Sequence, residues 1–122
     1  MLVNDRPLVY LACPYSHDDY AIRVKRFNAV CRAAARLIRE GEPMVFSPIS
    51  HSHPISEHGL PTNWEFWEPC DRAYLSCCHK LIVLKLDGWR ESRGVTAEIE
   101  IASEMGIPVE YLEADYVETS TV

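Results

Sequence analysis

Lys80-Leu81-Ile82-Val83-Leu84-Lys85-Leu86-Asp87-Gly88, followed within a few residues by Ser92-Arg93-Gly94-Val95-Thr96-Ala97-Glu98, is the stretch that decides how this chain folds. A short apolar run closed by an Asp-Gly turn suits a strand buried on both faces. The segment after it opens a helix: Ser92 has N-cap or turn chemistry, and Gly106 marks the end of a helical pattern that begins at Val95. Strand, turn and helix in that order form the core of a βαβ unit, and hence of a parallel sheet.

Outward from this unit the same alternation continues. Leu8-Val9-Tyr10-Leu11-Ala12-Cys13, ended by Pro14, reads as a first buried strand. Ser16 to Asp19 supply capping groups for a long helix from about Tyr20 to Glu40, closed by Gly41. Pro43 to Phe46 reads as a short second strand, and Ser47 to Asn63 as a polar loop rich in His and Pro. Trp64, Phe66 and Trp67 lead into a helix reaching about Cys78, with Pro69 expected in its first turn. Ile107 to Leu112 closes as a fourth strand. The order β-α-β-loop-α-β-α-β predicts an α/β fold: a doubly wound three-layer sandwich with a mostly parallel sheet, flavodoxin- or Rossmann-like.

With 122 residues, of which 48% are hydrophobic and 25% charged, the chain forms a single domain over 1–122. The segment from Ala114 onward is expected to be dispensable or mobile. A net charge of -6 argues against a nucleic-acid polymer as partner, but not against one small anionic ligand in a local pocket. The five cysteines, at 13, 31, 70, 77 and 78, are odd in number and follow no secretory pattern, so reduced thiols and a cytoplasmic location are expected. No apolar run has the length of a membrane span, so no membrane partner is expected. His51-Ser52-His53, His58, Cys70 and Cys77-Cys78-His79 lack the spacing of a structural zinc site, and no metal is expected.

In sheets of this type ligands bind at the carboxyl ends of the strands. The residues just after Cys13, Phe46 and Leu86 are therefore the first to consider, Pro14 and Ser47 among them. On the helix from Val95 to Met105, helical phase places Val95, Ile99, Ala102 and Met105 on one stripe with Glu98 at its edge, and turns Glu100 and Glu104 outward. On the preceding helix Asp71 lies among Trp67, Tyr74, Leu75 and Cys78. A carboxylate on an apolar stripe is expensive without a partner or a task. Two inward acids beside one strand are the minimum equipment for cleaving a glycosidic bond. The helix start at Ser92 and Gly94 favours a nearby anion and an ionised Glu98, whereas burial opposes that charge, and the sequence leaves the balance open. Plainer roles exist for each residue. Glu98 suits a first-turn acid, Asp71 a helix-to-helix tie, Tyr10 a core aromatic and Ser92 a cap. Arg90 and Arg93 suit a solvated surface, and Trp64 and Trp67 suit anchors, although a base stacked between the start of the loop at Ser47 and these tryptophans fits equally.

Tyr10-Leu11-Ala12-Cys13-Pro14, together with Asp71, Asp87-Gly88 and Ser92-x-Gly94-x-x-x-Glu98, resembles the nucleoside 2-deoxyribosyltransferase superfamily over roughly residues 8 to 112. The resemblance implies cleavage of the N-glycosidic bond of deoxynucleosides or their monophosphates without a cofactor. It makes Glu98 the nucleophile, Asp71 a sugar-binding or proton-handling group, and Tyr10 the residue that orients Glu98. Transferases of the superfamily usually carry an acid where this chain has Ser92. The branch that hydrolyses deoxynucleoside 5′-monophosphates is more similar there, with the serine on the phosphate. The chain departs from the superfamily in Glu98-Ile99-Glu100, where Glu-Leu-Gly is usual, and in its His-rich loop. The expectation is thus a (deoxy)nucleoside 5′-monophosphate N-glycosidase acting on a small-molecule nucleoside or nucleotide, as a homo-oligomer. The alternatives are base exchange by a deoxyribosyltransferase and a nucleotide-binding module without chemistry.

Overall fold

The apolar alternation along the first strand determines which helix covers which face of the sheet. In the computed structural model, which describes residues 7–41 and 44–118, that strand is β1 (Leu8–Ala12). It is followed by α1 (Tyr20–Arg39), β2 (Met44–Phe46), α2 (Pro48–Ser56), α3 (Trp64–Leu75), β3 (Lys80–Lys85), α4 (Arg93–Met105), β4 (Val109–Glu113) and the short α5 (Asp115–Glu118). The four strands are all parallel, in the order β2-β1-β3-β4. This α/β arrangement, a parallel sheet between two helical layers, is flavodoxin-like, and its strand order reverses between β1 and β3.

Side chains alternate across a strand with period two. Val9, Leu11 and Cys13 of the first strand region join Ile82 and Leu84 of β3 against Ala29, Val30, Ala33 and Leu37 of α1. Tyr10 and Ala12 join Leu81 and Val83 against Leu75 of α3 and Val95, Ile101 and Ala102 of α4. Register ties the two patterns together, since Tyr10 lies opposite Leu81 and Ala12 opposite Val83. Each fully buried Leu, Ile or Val contributes about 1.5–3 kcal/mol. Tyr10, a large polar-tipped residue, is therefore committed by parity to the α3–α4 face.

The sequence-based boundaries hold for β1, α1, β3 and α4 to within a few residues, and two expectations need correction. The segment 47–63 is not all loop, because Pro48–Ser56 is helical: the Ser47 side chain accepts a hydrogen bond from the Ser50 N–H at 3.2 Å, and Pro48 follows the cap. Pro69 lies inside α3 rather than in its first turn. Pro43, assigned to the second strand, lies outside the described residues. The segment from Ala114 begins as α5, whose Val117 is buried in the α1 layer.

Candidate active site

Two helices on the same face of the sheet deliver the acids. In α4, Val95, Glu98, Ile101 and Ala102 are the buried residues. Glu98 thus sits in the middle of the buried stripe, not at its edge, and Met105 at the helix end is 42% exposed. Glu100 and Glu104 are exposed, as their phase requires. In α3, Asp71 and Leu75 are the buried pair, whereas Tyr74 faces outward and stacks on Phe46 with centroids 4.2 Å apart. Asp71 is 6% exposed and Glu98 5%.

The Tyr10 hydroxyl donates a short hydrogen bond to Glu98 Oε2. Among the described residues nothing hydrogen-bonds the Asp71 carboxylate, which opens into the cavity it shares with Glu98. Burial pushes the Glu98 carboxyl up to about 8; the Tyr10 hydrogen bond opposes the rise and the Asp71 charge adds to it. Burial likewise pushes Asp71 up to about 7. Tyr10 is raised well above its ordinary value by burial, with both acids adding to the effect. The helix start does not win the contest at Glu98. Glu98 stands in the second turn of α4, beyond the first turn in which the helix field acts.

Asp71 and Glu98 line a cavity of about 320 Å³ at the carboxyl ends of β1 and β3. Its rim comes from three segments. The β1–α1 loop gives Cys13, Tyr15 and Ser16, the approach to α3 gives Thr62, Asn63 and Trp64, and the start of α4 gives Glu91, Ser92, Arg93 and Gly94. The Ser16 hydroxyl donates to the Thr62 carbonyl at 2.8 Å and joins the first two. The Arg26 guanidinium joins the first to the turn after β3, donating to the carbonyls of Tyr15 (3.3 Å), Ser16 (3.1 Å) and Asp87 (3.1 Å). That turn uses Gly88 at φ +88°, where an added Cβ would lie 2.8 Å from Arg26.

Of the residues singled out from sequence, Glu98, Asp71, Ser92, Gly94 and Trp64 line this cavity, and Tyr10 lies fully buried behind Glu98. Ser92 caps α4 by accepting from the Val95 N–H at 3.2 Å, and its hydroxyl hydrogen can still be donated. Gly94 has ordinary helical geometry, and a Cβ there would meet Trp64 at 3.5 Å, an ordinary contact. Pro14 and Ser47 do not line the cavity. Pro14 is buried in the loop after β1, and Ser47 is used as the cap of α2. Arg93 stands at the rim in an ion pair with Glu65.

Sequence reasoning missed Tyr15, Ser52, Thr62, Asn63 and the buried His53. Tyr15 had a signal, because it follows a strand end. His53 had one too: the Ser47-Pro48 cap signature converts the assumed loop into a helix that turns Ser52 and His53 inward. Among the described residues no group of three or more His, Cys, Asp or Glu side chains is arranged to hold a metal ion. No described helix is long and apolar enough to cross a membrane.

No curated protein matches the chain. A family match spans residues 7–114, which takes in every strand, α1 to α4 and all the cavity-lining residues. The chain belongs to the family described as Domain of unknown function (DUF1937).

Proposed function

We propose that this protein cleaves the N-glycosidic bond of a (deoxy)nucleoside 5′-monophosphate, with Glu98 as the nucleophile. The observation that carries the reading is the lining of the cavity. There a buried carboxylate is held by a buried tyrosine, beside a second buried carboxylate that accepts no hydrogen bond from any described residue. Positioning of this kind suits attack on an anomeric carbon, where the developing positive charge favours an ionised neighbour. The resemblance to the nucleoside 2-deoxyribosyltransferase superfamily supports the same roles for Glu98, Asp71 and Tyr10.

In this mechanism Glu98 attacks C1′ as the C1′–N bond breaks, and the base leaves with the bonding pair. Water then cleaves the glycosyl–Glu98 ester and frees the sugar phosphate. Asp71, open to the cavity, accepts a hydrogen bond from a sugar hydroxyl. The phosphate sits at the start of α4, where the first backbone N–H groups lack helical partners and the Ser92 hydroxyl can donate. Trp64, on the same wall, offers an apolar face for the base. Glu98 must be ionised to react, so the reactive fraction grows as pH rises toward about 8.

A second reading, an unphosphorylated nucleoside as substrate with hydrolysis or base exchange, is favoured by the charge of the rim. Glu65 and Glu91 outnumber Arg93 there. Both readings are tested by incubating nucleosides and their 5′-monophosphates with the purified protein and with Glu98→Ala, and measuring free base by chromatography. Release from monophosphates by the wild type alone is the expected result. Release from nucleosides alone transfers the proposal to the second reading. Monophosphate binding with no release from any substrate replaces both with a binding module.

A further inference from the structure

A second chain of polar groups runs from a residue of the cavity lining toward solvent. Tyr15 lines the cavity, and its hydroxyl lies 2.6 Å from His53 Nδ1. His53 is buried in α2, and its Nε2 lies 3.4 Å from Oε2 of the exposed Glu57. The imidazole is held flat against Phe27, with ring centroids 4.3 Å apart, and lies edge-on to Tyr15 at 5.6 Å. Tyr20 flanks it at 6.3 Å and donates its hydroxyl to the same Glu57 carboxylate. Arg23 lies over the Tyr20 ring and near enough to act on the Tyr15 hydroxyl. Both imidazole nitrogens are thus engaged, one by the hydroxyl of a cavity-lining tyrosine and one by a carboxylate at the surface. This geometry fixes the orientation of the imidazole ring.

We propose that Tyr15, His53 and Glu57 form a proton relay that protonates the departing base and then activates the water. The inference rests on the glycosidase reading above and adds the acid that reading does not assign. In the first half-reaction the electron pair of the C1′–N bond goes to the base nitrogen, which takes the Tyr15 hydroxyl proton. The phenolic oxygen takes the Nδ1 proton of the His53 imidazolium, leaving a neutral ring whose Nε2–H faces Glu57. In the second, water adds to C1′ as the ester bond to Glu98 breaks. The proton released by the water passes to the Tyr15 oxygen, and the Tyr15 proton returns to Nδ1. The imidazolium and the Glu98 carboxylate are both restored, so a full turnover needs no proton beyond the water's own. Tyr15 is the catalytic residue of the relay; His53 and Glu57 act through it as positioning residues.

A leaving group that needs no proton separates this role from a structural one. 7-Methylguanosine 5′-monophosphate carries a cationic base that departs neutral. Tyr15→Phe, which keeps the ring, and Glu57→Gln are assayed on this substrate and on the unmodified monophosphate. The expected result is a loss on the order of 10²-fold in the single-turnover rate of base release from the unmodified substrate, with single-turnover release from the methylated one near wild type. Equal loss on both substrates assigns the groups to structure and overturns the relay. Unchanged rates on the unmodified substrate overturn the relay and leave the glycosidase reading standing. Absence of release from either substrate by the wild-type protein overturns both.

Discussion

Replacing Glu98 with glutamine should stabilise the protein, and increasingly so as pH rises. The carboxyl is 5% exposed, and burial raises it from 4.5 to about 8. Between those pH values the folded chain holds a proton that the unfolded chain has released, so stability declines as pH climbs and levels off above about 8. At about 1.4 kcal/mol for each pH unit, the wild type gives up on the order of 3–5 kcal/mol across this window. That is a large share of the roughly 5–15 kcal/mol typical of a domain. The glutamine side chain of the Glu98→Gln variant has no proton to lose, is nearly isosteric, and still offers an amide oxygen to the Tyr10 hydroxyl. Groups that titrate alike in both proteins cancel in the difference, as the exposed carboxylates should; Asp71, whose charge couples to Glu98, is the exception. Urea denaturation of both proteins at pH 5, 6, 7, 8 and 9 measures it. The variant should match the wild type near pH 5 and exceed it by several kcal/mol at pH 9, while losing base release at every pH. A stability difference that stays constant with pH would refute a buried, proton-holding Glu98.

Asp71→Asn removes a charge that raises the Glu98 carboxyl, so the acid limb of kcat/KM should move to lower pH, and a pH–rate profile reads it. Tyr10→Phe removes the hydrogen bond that lowers the same group, so its limb should move the opposite way; a shift in the same direction as Asp71→Asn sinks the assignment. Ser92→Ala deletes the α4 cap and should cost about 1 kcal/mol in urea denaturation, with a raised KM for monophosphates but not for nucleosides. Leu84→Ala, fully buried in β3, should cost about 2–5 kcal/mol in the same assay and leave the pH profile where it was.

The fold was legible because its signals are local. The run Leu81–Leu84 is buried throughout, and the Asp87-Gly88 turn and the Ser92 cap fall where their chemistry places them. Helical phase likewise separated Glu98 from Glu100 and Glu104. It set the centre of the stripe wrongly because Met105 was counted as buried, although the side chain at the helix end is exposed. The loop assignment for 47–63 failed for a related reason. The His and Pro content of the segment outweighed the Ser47-Pro48 cap signature, and Pro54 is tolerated inside α2. With that helix unrecognised, nothing in the sequence brought His53 to Tyr15, 38 residues earlier in the chain.

The sequence by itself determined the strand–helix alternation and the inward phase of Asp71 and Glu98. These follow from short apolar runs and the helical period of 3.6, which act between near neighbours. Only the tertiary structure decided that Tyr10, Asp71 and Glu98 meet, that burial outweighs the helix start at Glu98, and that Pro14 and Ser47 stand outside the cavity. Only it joined Tyr15 to His53 and Glu57. Proximity across 88 residues, as between Tyr10 and Glu98, and the loss of solvent around a charge are properties of the packed whole.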